Sequence, residues 1–264
     1  NIFYTRKGIL RMWGDIAIAF LLAFITAFVI TPYSIRLAKK VGAVDYPNDR
    51  RVNKKPMPRL GGLAVIAGFL ISAIYLIVTM RIENNIDFVT DGLGKKLLGS
   101  LLGAIILGIT CYIDDVKGIK PLVKLAGQLV AAIIVVSFGL RIDNFTIPFK
   151  ENSIMINEVI SYILTIGWIV GITNAINLID GLDGLSSGIT LIACISMLII
   201  FSLNESPLIA IILITALAGA IVGFLPYNFN PAKTFIGDVG SNFMGFAIAI
   251  ISILGVAKTY TAIV

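Results

Sequence analysis

Long apolar runs alternate along the chain with short polar segments. Runs near 15–37, 61–80, 96–113, 122–140, 156–175, 188–203, 207–226 and 241–261 approach or exceed the ~20 residues that cross a bilayer as a helix. They predict an all-α, polytopic integral membrane bundle of about eight transmembrane helices, since unpaired backbone groups forbid open sheets in lipid. The first run follows a basic stretch, as a signal peptide would, but it is too long and lacks a small-residue cleavage site. Segment 142–157, "IDNFTIPFKENSIMIN", alternates enough to predict a short hairpin between two spans. No internal repeat or low-complexity linker divides the chain, so residues 1–264 read as one integral domain.

Composition agrees with this class: 58% of residues are hydrophobic and 14% charged, against about 25% charged in soluble domains. Lys and Arg set the orientation. Arg36, Lys39, Lys40, Arg50, Arg51, Lys54, Lys55 and Arg59 follow the first span, and Lys117, Lys120 and Lys124 follow the third. These loops, with 174–187 and 227–240, are expected in the cytoplasm, and 81–95 and 141–155 outside. Arg6, Lys7 and Arg11 oppose that arrangement; eight basic residues outweigh three, which places the N-terminus outside. The net charge of +6 is then the topology signal, and no aromatic-interleaved basic module points to nucleic acid. With no His, and with Cys111 and Cys194 far apart inside apolar runs as packed thiols, a zinc site has no ligands.

Ionisable groups at membrane depth are costly and mark sites, and here they fall on one side. Asp114 and Asp115 end the third span, Asp180 and Asp183 follow the fifth, and Asp238 opens the eighth. In "TNAINLIDGLDGLSSG" (173–188), Asn174, Asn177, Asp180 and Asp183 recur every third residue, which spreads them over half the circumference of a straight helix. Gly181 and Gly184 allow a break that folds the later carboxylates back. Clustered carboxylates raise each other's pKa and call for a cation; oxygen ligands with substrate phosphates favour Mg²⁺. Lys54, Lys55 and Arg59 precede Gly61-Gly62 at the head of a span, a pattern suited to phosphate at a helix N-terminus. In "YNFNPAKTFIGDVGSNFMGF" (227–246), Asn228 and Asn230 offer amides, Phe235 a face for a flat base, and Asp238 a carboxylate between glycines. Together these segments predict a cytoplasmic pocket for a nucleotide diphosphate and a metal.

The motifs "DYPNDRRVNKKPMPRLGG" (45–62), "DDVKGIKPLVKLAGQ" (114–128), "NAINLIDGLDGL" (174–185) and "NFNPAKTFIGDVGS" (228–241) resemble those of the polyprenyl-phosphate N-acetylhexosamine-1-phosphate transferases, glycosyltransferase family 4. The resemblance implies transfer of a phospho-sugar from a UDP-N-acetylhexosamine to undecaprenyl phosphate in the bacterial inner membrane. It further implies release of UMP, an Mg²⁺ (or Mn²⁺) requirement, a cytoplasmic active-site cleft, sensitivity to tunicamycin-type nucleosides, and compatibility with a homodimer. PRxGG at 58–62 leans towards the branch that transfers GlcNAc-1-phosphate rather than the phospho-N-acetylmuramoyl-pentapeptide branch. Carried over by position, Asp114 and Asp115 match the acidic pair that activates the lipid phosphate or holds the metal, and Asp238 matches the metal-binding Asp. Asn177, Asp180 and Asp183 match the loop shaping the nucleotide site, with Gly181 and Leu182 beside the uracil. Phe235 matches the stacking residue with Asn228 nearby, and Lys54, Lys124 and Gln128 match polar positions around the diphosphate. Asn53 stands where the family commonly has His, and the family's His-rich loop is absent. The family has about ten spans, so the protein is expected to continue past Val264 into a His-bearing loop that completes the site.

The expected mechanism is direct in-line displacement, with Asp114 the candidate to remove any proton; a two-step route through an aspartyl-phosphate is the rival. A membrane transporter would carry midplane charges or broken-helix repeats, which the sequence lacks. A non-catalytic scaffold leaves the aspartates and glycines unexplained.

Overall fold

The computed structural model describes residues 6–47, 55–84, 92–146, 153–204 and 206–256. Among these residues a helix stands on every predicted apolar run: α1 (Arg6–Val41), α2 (Gly62–Asn84), α3 (Leu93–Lys117), α4 (Pro121–Ser137), α5 (Glu158–Leu178), α6 (Leu185–Leu203), α7 (Leu208–Asn228) and α8 (Gly237–Val256). Six are long and apolar enough to cross a membrane; α4 and the described part of α2 are shorter apolar helices. Several helices overrun their apolar segments. The α1 helix continues through Lys39 and Lys40 until Gly42, at φ 77°, supplies the left-handed residue that ends it.

Two short antiparallel ribbons join the helices. β3 (Asn144–Thr146) pairs with β4 (Ser153–Met155) in the register Phe145↔Ile154, which is the expected hairpin. β1 (Val44–Asp45) pairs with β2 (Met57–Pro58); two-residue strands are too short to show a period, and the sequence did not announce them. Cys111 and Cys194 are buried free thiols, as expected.

Helices α7 and α8 form the centre. Their most apolar windows are 83% and 89% buried, against 22% for α1, α3 and α5, because the outer helices turn a face to lipid. Lipid removes the hydrophobic drive between helices, so small residues must let backbones approach. On α7, a Cβ at Gly219 or Gly223 would collide with the Phe20 or Phe24 carbonyl of α1. Where α2 crosses α8, a Cβ on Gly240 would sit 2.5 Å from Gly62 Cα.

The same crossing carries a backbone ladder. Phe235 N donates to Pro58 O (2.8 Å), Gly61 N to Phe235 O (3.0 Å) and Gly62 N to Ile236 O (2.8 Å), while Thr234 Oγ1 donates to Pro58 O at 2.8 Å. This corrects one expectation. The Gly61 and Gly62 amides serve the ladder and a close helix crossing, and they are not presented to a phosphate.

Gly240→Leu is therefore expected to destabilise the protein, since overpacking costs about 1–3 kcal/mol, or roughly 2–4 °C of melting temperature per kcal/mol. Gly167→Leu, where a Cβ meets nothing within 4 Å, should leave the thermal midpoint in detergent unchanged. Equal midpoints for the two variants would refute the tight crossing.

Candidate active site

Alternation of the helices brings the C-termini of α1, α3, α5 and α7 to the same end of the bundle as the N-termini of α2, α4, α6 and α8. There they surround a cleft of about 1020 Å³. Asn177, Asp180, Asp183, Phe235 and Asp238 all line it, as do Gly181 and Leu182. These positions lie up to 61 residues apart in sequence, and the fold gathers them as expected. Lys54 lies outside the described residues.

Lys124, on the first turn of α4, sits at the centre of the polar cluster. Its Nζ donates to Asp238 Oδ1 and to Asn177 Oδ1 (3.0 Å), and lies 3.4 Å from Asp114 Oδ2. Asn177 Nδ2 in turn donates to Asp238 Oδ1 (2.8 Å) and to Ser241 Oγ (2.9 Å). One ammonium thus gathers oxygens from α3, α5 and α8. Asp114 is not part of the cleft lining: its Oδ1 accepts Ile119 N–H (2.9 Å) and caps the turn after α3.

Asp115 is buried, with a side chain fully withdrawn from solvent. Its Oδ1 accepts Asp238 N–H (3.0 Å) and its Oδ2 accepts Val239 N–H (2.9 Å), two donors that the first turn of α8 cannot satisfy itself. Arg59 completes the joint. Its Nε and Nη2 donate to Asp115 O (3.0 and 2.8 Å), and Nη2 also reaches Asp114 O (3.2 Å), at the carbonyl end of α3. Nε lies 3.6 Å from Asp115 Oδ1. Sequence reasoning placed Asp115 at the metal; its carboxylate is engaged in holding the start of α8. It placed Arg59 with phosphate; the guanidinium ties the 58–62 segment to α3.

The row at 174–183 resolves as the glycines suggested. The α5 helix ends at Leu178, turns occupy 179–184, and Gly184 (φ 69°) opens α6. Asn174 lies deeper, exchanging hydrogen bonds with Gln128 (2.6 and 3.2 Å). Asp180 Oδ1 accepts Ser186 Oγ–H (2.6 Å). Burial pushes the Asp180 carboxyl up to about 6, with the Asp238 charge adding to the rise and the Ser186 bond opposing it. Asp183 Oδ2 accepts Ala232 N–H (3.0 Å) and Asn230 Nδ2–H (3.1 Å), holding the turn after α7.

Two expected ligand contacts are occupied within the protein. Gln128 is buried, and its Nε2 also donates to Asn242 Oδ1 (2.8 Å). Asn228 is buried, accepting from Ser187 Oγ (2.9 Å) and donating to Thr234 O (3.1 Å). Both are struts beneath or beside the cleft, the latter bordering it. Ser186, Ser187, Ser241 and Asn242 escaped the sequence reading, because small polar residues at helix starts carry no signal without their partners.

The donor set fits a hard divalent ion sparingly held. Among the described residues no three His, Cys, Asp or Glu side chains gather at one point. Mg²⁺ commonly takes one or two carboxylates and completes its shell with water and substrate phosphate. Asp238, with 27% of its side chain exposed, and Asp180 supply carboxylates on the cleft.

Residues 97–256 match glycosyl transferase family 4. The chain is 41% identical over 250 residues to the Bacillus subtilis protein named "Probable undecaprenyl-phosphate N-acetylglucosaminyl 1-phosphate transferase", covering 93% of this chain and 64% of that one. It is 36% identical over 240 residues to the decaprenyl-phosphate N-acetylglucosaminephosphotransferase of Mycobacterium tuberculosis, covering 86% and 57%. With the phospho-N-acetylmuramoyl-pentapeptide-transferase of Staphylococcus epidermidis it shares 34% identity over 247 residues, covering 90% and 74%. The chain thus spans less than two thirds of the length of the first two relatives. The matched segment contains Asp114, Asp115, Lys124, Asn177, Asp180 and Asp238, so the cluster around the cleft lies within the shared region. The chain belongs to glycosyl transferase family 4.

Proposed function

We propose that the protein transfers N-acetylglucosamine-1-phosphate from UDP-N-acetylglucosamine to undecaprenyl phosphate, releasing UMP at the cytoplasmic face of the membrane. The observation that carries this reading is a cleft wide enough for a nucleotide, lined by Asn177, Asp180 and Asp238, with Lys124 bonded to Asn177 and Asp238, in a chain of this family. The GlcNAc sugar is favoured over phospho-MurNAc-pentapeptide by the 41% identity to the Bacillus subtilis N-acetylglucosaminyl relative, against 34% to the Staphylococcus epidermidis pentapeptide-transferase.

The chemistry is in-line displacement. An oxygen of the lipid phosphate attacks the β-phosphorus of the UDP-sugar, a new P–O bond forms, and the bond from that phosphorus to the bridging oxygen breaks as UMP departs. The lipid phosphate is largely ionised near neutral pH (second pKa about 6), so no strong base is required, and positioning and charge dominate. Bound Mg²⁺ would withdraw charge from the diphosphate, held by Asp238 with Asp180. Lys124, bonded to Asp238 and Asn177, positions these two cleft-lining side chains. Asp114 acts through Lys124, and Asp115 with Arg59 keeps Asp238 at the head of α8. Phe235, half-buried on the cleft wall, offers its ring to the uracil, with Gly181 and Leu182 lining the same cleft.

The direct test is UMP release from UDP-N-acetylglucosamine that depends on both undecaprenyl phosphate and Mg²⁺, with UDP-MurNAc-pentapeptide assayed in parallel. Turnover of the latter alone would reverse the sugar assignment. Trapping an enzyme-bound phospho-sugar without acceptor would replace direct displacement with the two-step route. Asp238→Asn is expected to lower kcat about 10³-fold or more, near 4 kcal/mol, with the thermal midpoint retained. Near-normal kcat in saturating Mg²⁺ would remove Asp238 from the mechanism.

Phe235→Ala should raise the KM for the UDP-sugar by the equivalent of about 1–3 kcal/mol, the value of a base stacked on an aromatic ring, and leave the acceptor KM unchanged. A shift in the acceptor KM alone would contradict the stacking role. Asp180 takes up its proton as pH falls through about 6, which removes negative charge from the cleft. Affinity for Mn²⁺, followed by electron paramagnetic resonance, should decline across that window in the wild type. Asp180→Asn should flatten the decline; an unchanged profile in the variant would assign it to another group.

A further inference from the structure

The charged cluster rests on a second, neutral layer. Gln128 lies four residues after Lys124 on α4, Asn242 four after Asp238 on α8, and Asn174 three before Asn177 on α5. Residues three and four apart share a helix face, so each member of the cluster stands over an amide about 4.5–6 Å deeper, at 1.5 Å per residue. Helices α4 and α8 start at the cleft and α5 ends there, which puts all three amides on the inner side. Gln128 Nε2 donates to Asn242 Oδ1 (2.8 Å) and Asn174 Oδ1 (3.2 Å), and Asn174 Nδ2 donates to Gln128 Oε1 (2.6 Å) and Val170 O (2.8 Å). Asn242 Nδ2 closes the layer on Asp238 O (2.8 Å). Gln128 and Asn242 are buried.

Among the described residues, α4 bonds to α8 at two points, Lys124–Asp238 and Gln128–Asn242. The two bonds answer differently to a ligand. A cation at Asp238 repels the Lys124 ammonium that shares its carboxylate, which weakens the upper bond. The amide layer carries no formal charge, so a cation or a phosphate acts on it with far less force. Its donors are paired with one another in a low-dielectric interior, where leaving a partner is costly. Apolar side chains in its place would pack at several registers, whereas paired amides accept one.

We infer that Gln128 is a positioning residue for Asp238: with Asn242 and Asn174 it holds α4, α5 and α8 in register while the charged layer above adjusts to a bound cation. The inference rests on the transferase reading for the cation at Asp238, and adds the groups that keep that carboxylate placed once its bond to Lys124 is weakened. Gln128 does not line the cleft. It acts through Asn242, whose bond to Asp238 O fixes the first turn of α8.

The test uses the purified protein in nanodiscs, with Mn²⁺ binding followed by electron paramagnetic resonance and UMP release measured in parallel. Gln128→Met keeps the length of the side chain and removes its amide. It is expected to raise the Mn²⁺ Kd at least fivefold and to lower kcat about twentyfold. Ser252→Ala is the control. It removes the bond from Trp168 Nε1 to Ser252 Oγ (3.0 Å) between the same α5 and α8, towards the other end of α8 from Asp238. That variant should lower the thermal midpoint and leave the Mn²⁺ Kd and kcat unchanged. Wild-type Mn²⁺ affinity and kcat in Gln128→Met, whatever its midpoint, overturn the inference, as does an equal loss of both in Ser252→Ala. If Gln128→Met does not fold, an exchanged pair decides. Gln128→Asn should weaken Mn²⁺ binding, and adding Asn242→Gln, which restores the summed length across the bond, should recover it. No weakening, or weakening without recovery, overturns the inference. Weakened Mn²⁺ binding in Gln128→Met, with a wild type that releases no UMP, sustains the layer and sinks the transferase reading; UMP release with Mn²⁺ binding and kcat untouched by Gln128→Met does the reverse.

Discussion

The joint on which the site depends is a buried carboxylate. Asp115 has no access to water, and an uncompensated buried charge costs several kcal/mol. It is compensated by the two N–H groups at the head of α8, by the positive end of that helix, and by Arg59. Those partners belong to two segments remote in sequence from α3. Satisfying one charge therefore locks α3, α8 and the 58–62 segment together, and fixes where Asp238 leaves the backbone.

The membrane explains why that joint has so little redundancy. Between apolar helices no burial gradient selects a crossing, and close approach at glycines takes its place. The Gly62–Gly240 contact sets α2 against α8 one turn from Asp238, and the ladder between 58–62 and 234–236 carries that register to the cleft wall at Phe235. Below the cleft, Gln128, Asn174 and Asn242 bond to one another across α4, α5 and α8, and Asn242 returns to Asp238 O at 2.8 Å. In a low-dielectric interior such a network is stabilising only when every member is satisfied.

A division of labour follows among residues that share a motif. Of the two neighbouring aspartates, Asp115 builds the helix head and Asp114 addresses Lys124. In the 174–183 row, Asn174 is structural, Asn177 touches the charged cluster, Asp180 faces the cleft from a bond to Ser186, and Asp183 holds the 229–232 turn. Neighbours in sequence take different tasks because the break after Leu178 turns each side chain towards a different element.

The apolar runs by themselves determined the eight helices and the all-α class, and the alternation at 142–157 the hairpin between α4 and α5, because the length and periodicity of hydrophobic residues answer directly to the bilayer. The Asp, Asn and Gly positions also marked one end of the bundle as polar, since such residues are costly elsewhere in a membrane. Their tasks were decided only by tertiary structure. The sequence placed Gly61-Gly62, Gln128 and Asn228 against a ligand, whereas the fold spends their polar groups on partners within the protein, Phe235 and Ile236, Asn242, and Ser187. A carboxylate or amide advertises a need for hydrogen bonds through its identity alone. Which donor meets that need is set by crossings between distant helices, and local pattern carries no record of them.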